Sequence, residues 1–212
     1  MKKNLYSLVL SENVVAAVDR MAYAMHTNRS NLINQILADY VAYETPEKRM
    51  QRIFDSMESL MAGGAFQMLQ PSASVFQLRS PLAYKYNPTV RYSVEIYREG
   101  GPAFGELRVG LRTQNHMLGL YLMQFFKLWS KIEQHYNPDA RSGTEEGRFI
   151  KKLVLRGEIP GAEALAEAIA AYLRTFDAAM QAFFYQIDRP AAAAAEAERI
   201  YRDYYEHASC LL

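Results

Sequence analysis

Near the start of the chain an apolar segment sorts its residues onto two sides of an extended stretch, with Tyr6, Leu8 and Leu10 on one and Leu5, Ser7 and Val9 on the other. The period then lengthens. Ser11 is a good N-cap, and Val14, Val15, Val18, Met21, Ala22 and Met25 recur at helical spacing behind it. A break at His26-Thr27 is followed by Asn28, a second cap, and by a stripe of Leu32, Ile33, Ile36, Leu37, Tyr40 and Val41. The pattern predicts a strand over residues 2–10, a helix ending near Met25 and a second helix ending near Tyr43. Both stripes are apolar over compatible lengths, so the helices are expected to pack on each other and on Tyr6, Leu8 and Leu10.

Beyond residue 44 the pattern changes twice. Thr45-Pro46-Glu47 starts a helix with inner face Met50, Ile53, Phe54, Met57, Leu60 and Met61, and Gly63-Gly64 stops it. After a loop at Pro71–Ser74 the period falls to two: Phe76 and Leu78, then Leu82, Tyr84 and Tyr86, then Tyr92, Val94 and Ile96, then Leu107, Val109 and Leu111. Asn87-Pro88 and Gly100-Gly101-Pro102 separate them, which predicts a small antiparallel sheet with one face on a core. Helical periods return from about Asn115 to Tyr136, from Thr144 to Gly157, from Gly161 to Ile187, and from Pro190 to near His207. The expected fold class is α+β, with residues 1–44 as one unit and 45–212 as a mostly helical second domain carrying the sheet.

Composition narrows the picture. Half of the 212 residues are hydrophobic and 12% are aromatic, enough for a real core. A formal net charge of +1 excludes broad nonspecific coating of nucleic acid but leaves room for a local reading surface. Among the first thirty residues Lys2, Lys3, Arg20 and Arg29 face only Glu12 and Asp19. Cys210 is the single cysteine, so no intrachain disulfide forms, and a reducing cytoplasm is the expected location. The apolar run after Lys3 breaks at Ser11-Glu12-Asn13 without a cleavage site, and Met117–Trp129 is interrupted by Gln124 and Lys127; neither reads as a signal peptide or a membrane span.

The N-terminal piece is too short to bury enough apolar surface alone, and a lone strand leaves its hydrogen bonds unpaired. A second copy resolves both: two strands pair into a ribbon over four helices, and such a ribbon fits the major groove of DNA. The ordered set of strand, two caps and two stripes over residues 2–43 resembles the ribbon-helix-helix fold of the Arc, MetJ and CopG repressors. It includes the Leu-Ser-Glu opening of the first helix and the Asn-Arg-Ser opening of the second. The resemblance implies a homodimeric regulator of transcription that binds double-stranded DNA. By position, Leu5, Ser7 and Val9 become the base-facing residues, and Lys2, Lys3 and Asn4 lie nearby on the DNA backbone. The start of the second helix, Asn28, Arg29 and Ser30, grips a phosphate through free amides and an arginine.

Two positions depart from that family's pattern. His26 stands where a glycine often supplies a left-handed residue between the helices. Leu5 and Val9 cannot hydrogen-bond a base edge, so specificity rests on Lys3 or Asn4, on DNA shape, or on cooperative binding of several dimers.

Residues 45–212 resemble no family, and their chemistry is read from sites. The outward side of the sheet is expected to carry Gln77, Arg79, Lys85, Arg91, Ser93, Glu95, Tyr97, Glu106, Arg108 and Arg112. It reads either as a solvated face with cross-strand pairs such as Glu95 with Arg108 or as a surface for an anionic ligand or RNA. Asp203, His207 and Cys210 follow at helical spacing near the end of the chain; without a second ligand cluster, no metal site is assigned. There is no phosphate loop, nucleophile elbow, paired catalytic carboxylates or His-Glu-x-x-His, so neither enzyme activity nor a cofactor is expected. The C-terminal domain is expected to set oligomeric state beyond the dimer or to sense an effector. The alternative is an antitoxin-like or scaffold protein whose aromatic C-terminal helices bind a protein partner.

Overall fold

A computed structural model describes residues 5–69, 72, 74–98, 101–155 and 160–212. The chain divides into two compact units, Met1–Arg49 and Met50–Leu212, with the boundary inside a helix rather than ahead of it.

The first unit holds α1, Glu12–Ala24, and α2, Arg29–Tyr40. Both end in the same way. The His26 N–H donates to the Tyr23 carbonyl at 3.1 Å and that of Thr27 to the Ala22 carbonyl at 2.9 Å, with His26 at φ +50°. The Ala42 N–H reaches Asp39 at 3.2 Å and that of Tyr43 reaches Ala38 at 2.8 Å, with Ala42 at φ +53°. This is the Schellman closure, which satisfies carbonyls a helix end otherwise leaves open. His26 therefore takes the left-handed position assigned to it, at about 1 kcal/mol against glycine. At the other end of α2 the Asn28 side chain accepts from the Asn31 N–H at 2.9 Å, whereas Ser11 makes no side-chain cap to α1.

The strand expected over residues 2–10 is not found in its described part. Residues 5–10 carry no regular secondary structure, and Lys2, Lys3 and Asn4 lie outside the described residues. The reason is physical: a strand needs a ladder partner, and no segment among the described residues pairs with residues 5–10. The two helical stripes are also mostly uncovered. Ala22, Leu32 and Ala38 are buried, but Val14, Met21, Met25, Ile36, Leu37, Tyr40 and Val41 are exposed. Two short helices without a third layer have nothing to bury these side chains against.

The helix α3, Pro46–Met61, is capped by Thr45, whose hydroxyl accepts from the Lys48 N–H at 3.2 Å. Met50, Ile53, Phe54, Met57 and Met61 are buried, as their spacing predicts, and Gly63 ends the segment at φ +77°. The sheet then follows: β1, Gln67–Met68; β2, Val75–Pro81; β3, Thr89–Ile96; and β4, Gly105–Gly110. After α4, His116–Tyr136, come β5, Arg141–Glu145, and β6, Arg148–Leu153, then α5, Ala162–Tyr185, and α6, Pro190–His207. All six strands lie in one antiparallel sheet of order β1-β2-β3-β4-β6-β5. The fold class is α+β, and the sheet is larger than the sequence pattern suggests.

Two expectations fail in this unit. Leu82, Tyr84 and Tyr86 are not a strand but the connection between β2 and β3, turned by Tyr86 at φ +69° and Asn87 at φ +44°. The expected helix from Thr144 to Gly157 is instead the β5–β6 hairpin, with Glu146 at φ +48° and Gly147 at φ +76° in its two-residue turn; Gly157 itself is outside the described residues. Two successive left-handed residues match the twist of a hairpin and are closed to a helix. One sheet face packs on helices through rings: Phe54 of α3 against Phe76 at 5.6 Å, Phe126 of α4 against Phe149 at 5.9 Å, and Phe176 of α5 against Phe149 at 4.8 Å. Further from the sheet, Tyr201 of α6 meets Trp129 of α4 edge-on at 5.2 Å.

Candidate nucleic-acid interface

At the start of α2 the sequence-assigned residues Asn28, Arg29 and Ser30 stand together and exposed. Asn28 satisfies the Asn31 amide, and its own carbonyl takes the Leu32 amide at 3.0 Å. The amides of Arg29 and Ser30 precede the first intrahelical bond and have no partner among the described residues. Two unpaired N–H groups at a helix N-terminus form a place where a phosphate oxygen is favoured.

Arg29 is not idle there. Its Nε donates to Asp19 Oδ1 at 2.6 Å and its Nη2 to Asp19 Oδ2, a fork that ties α2 to α1. The Arg29 hydrogen bond holds the Asp19 carboxyl below its ordinary range, and the same bond raises Arg29 further. The fork leaves Nη1 unused, so the guanidinium retains donors for a second anion. Asp19 was legible only as an acid on α1; nothing in its spacing from Arg29 links residues on two different helices. Leu5, Ser7 and Val9 are exposed, and the structure gives them no common face; the backbone-contact candidates Lys2, Lys3 and Asn4 are outside the described residues.

The second unit carries its polar chemistry in two places. On the open sheet face, Glu106 is buried to 4% exposure and held by Lys152 Nζ, by the Tyr97 hydroxyl at 3.4 Å, and by Arg108 Nε at 2.5 Å. Burial would raise the Glu106 carboxyl, but the Lys152 hydrogen bond and the charges of Arg108 and Lys152 outweigh it and hold the group below its ordinary value. Arg108 also reaches Glu95 at 3.8 Å, which is the cross-strand pair the sequence suggests. Lys85 is not on this face; it lies in the β2–β3 connection over the Tyr86 ring at 5.2 Å.

Inside the core, Lys151 Nζ donates to Glu133 Oε1 at 2.8 Å with both side chains fully buried. The Tyr172 hydroxyl donates to the same oxygen at 2.6 Å and accepts from Trp129 Nε1 at 2.9 Å. Asp177 accepts from the Ser80 and Tyr92 hydroxyls, each at 2.6 Å. Burial first, and the neighbouring carboxylate second, push Tyr92 and Tyr172 well above the ordinary tyrosine range. The sequence reading missed Lys151 and Lys152 because it placed them in a helix; the alternation of Phe149, Lys151 and Leu153 was the available signal.

Asp203 and His207 do stay together, with His207 Nδ1 at 3.4 Å from Asp203 Oδ1. α6 ends at His207, however, so Cys210 leaves the helical face, and no metal-binding group of three or more is found among the described residues. Leu165, Ile169, Tyr172, Leu173, Phe176, Met180, Phe183 and Phe184 of α5 are all buried in the chain's own core. Among the described residues no helix is long and apolar enough to cross a membrane. Comparison with protein-family models, with curated proteins and with solved structures finds no match to this chain.

Proposed function

We propose that the protein is a homodimeric, sequence-specific DNA-binding regulator of ribbon-helix-helix type, repressor-like and cytoplasmic. The observation that carries the reading is the first unit's incompleteness. Leu5 and Val9 are wholly exposed, Tyr6 is 82% and Leu8 59% exposed, and most of each helix's stripe is left uncovered. A second copy supplies what is missing: residues 2–10 of two chains pair as an antiparallel ribbon, and the stripes of four helices close beneath it. Tyr6, Leu8 and Leu10 then face the helices, leaving Leu5, Ser7 and Val9 for the groove and Lys2, Lys3 and Asn4 for its edges. The unpaired amides of Arg29 and Ser30 and the free Nη1 of Arg29 support a phosphate clamp on each side. The second unit adds an effector or assembly function. In the alternative, a scaffold that binds a partner through its aromatic C-terminal helices, the α5 stripe could not take part as it stands, because it is buried in the chain's own core, which favours the DNA-binding reading.

Ser7→Pro tests the ribbon, because proline removes a ladder N–H from the middle of the predicted strand. Sedimentation should show the variant as a monomer that also fails to bind DNA. A monomeric variant with unchanged DNA affinity would contradict the ribbon as the reading element.

A further inference from the structure

The open face of the sheet holds a row of arginines, Arg79, Arg91 and Arg148, that form no ion pair among the described residues. Arg79 of β2 stands directly opposite Arg91 of β3, and Arg91 stands opposite Gly110 of β4. Over Gly110 there is no side chain; the stem of Arg148 from β6 lies across that gap, its Cγ 3.0 Å from where a Cβ would sit. Arg79 donates to Gln67 Oε1 at 2.9 Å, while Arg91, Arg112 and Arg148 make no ion pair among the described residues. Like charges placed opposite one another across a ladder are destabilising. Arg91, Arg112 and Arg148 nonetheless line one concavity of about 690 Å³, walled by Leu69 and Leu111 and by the Glu146-Gly147 turn of the β5–β6 hairpin.

From this arrangement we infer that the face is a binding site for a small organic polyanion, of nucleotide size, whose clustered oxyanions are forked by Arg91 and Arg148 with Arg112 at the rim. Guanidinium groups suit such oxyanions because their N–H donors pair with two oxygens at once. The volume is that of a small-molecule site. A small ligand fits better than a nucleic-acid backbone because the arginines line one bounded concavity, and the cations further along the face, Arg108 and Lys152, are already paired with Glu95 and Glu106. Gly110 is explained by the same geometry: a larger residue would fill the floor of the site and displace Arg148. The inference does not depend on DNA binding by the first unit.

Titration calorimetry of the full chain with sodium pyrophosphate and, separately, with citrate separates phosphate from carboxylate ligands. Saturable binding of one molecule of either probe per chain is expected, weakened about tenfold or more in Arg91→Gln and in Arg148→Gln. Lys131→Gln, an exposed cation on α4, should bind as the parent chain does. Near-UV circular dichroism of each variant confirms that its core is intact. Absence of saturable binding, equal losses in the Lys131 variant, or loss of duplex-DNA affinity in its place when Arg91 and Arg148 are replaced would overturn the assignment.

Discussion

At the start of α2 a single guanidinium serves Asp19 and, in the proposed complex, a phosphate. On that proposal the two anions share an exposed group, so the pair would act as a brake on DNA affinity while contributing little to the fold. Arg29→Ala should weaken binding to every sequence alike and lower the slope of log affinity against log salt by about one per chain. Asp19→Asn should do the opposite and tighten binding, most visibly at low salt. Fluorescence anisotropy across a salt series reads both; an unchanged slope in the arginine variant would remove Arg29 from the interface. Glu106 makes a second prediction at this scale. Its folded value lies below the ordinary 4.5, so its contribution is complete above that value and is lost as the pH falls through the depressed one. Glu106→Gln should therefore cost stability at neutral pH and flatten the loss of stability below about pH 4.5, measured by denaturant unfolding at stepped pH. A parallel pH profile in the two proteins would contradict the pairing.

Elements show where the sequence was legible. The six helices of the described residues all lie on stretches the sequence reading gave as helical; Asn28 and Thr45 accept the amides their positions promised, whereas Ser11 makes no side-chain cap. Long apolar periods dominate local choices, which is why α4 and α5 were placed to within a few residues. The β5–β6 hairpin was hidden because Thr-Glu-Glu imitates a helix start, while the signal against a helix was a Glu-Gly pair that must turn left-handed twice. That error also concealed Lys151, a buried cation on a core-facing strand position. Its ion pair with Glu133 is fully desolvated and leaves Glu133 Oε2 without a partner. Lys151→Met alone should cost about 3–5 kcal/mol, because it strands a buried carboxylate. Lys151→Met combined with Glu133→Leu should recover most of that loss. Urea unfolding of the three proteins decides it, and a double variant as unstable as the single one would mean the network does more than offset its own charges.

For the whole molecule, the two units differ in what a single chain can finish. Residues from Met50 onward close a core of interlocked rings around Phe176 without help. The first unit leaves most of its apolar residues in water, as the shortness of the segment suggests, but the spacing did not show which stripe residues stay open within one copy. No periodicity distinguishes a residue that packs within its own chain from one that packs across a two-fold axis, since both are apolar at the same spacing. Dimerisation through residues 2–10 is thus the central claim, and its proposed consequence is sequence-specific reading of DNA. The direct test is anisotropy of the purified protein against the duplex upstream of its own gene and against a scrambled duplex, across a salt series. The account predicts tighter binding to the upstream duplex with a steep salt dependence for both. Equal and weak binding to the two would contradict it, and would mean that the Leu5, Ser7 and Val9 side of the segment reads nothing.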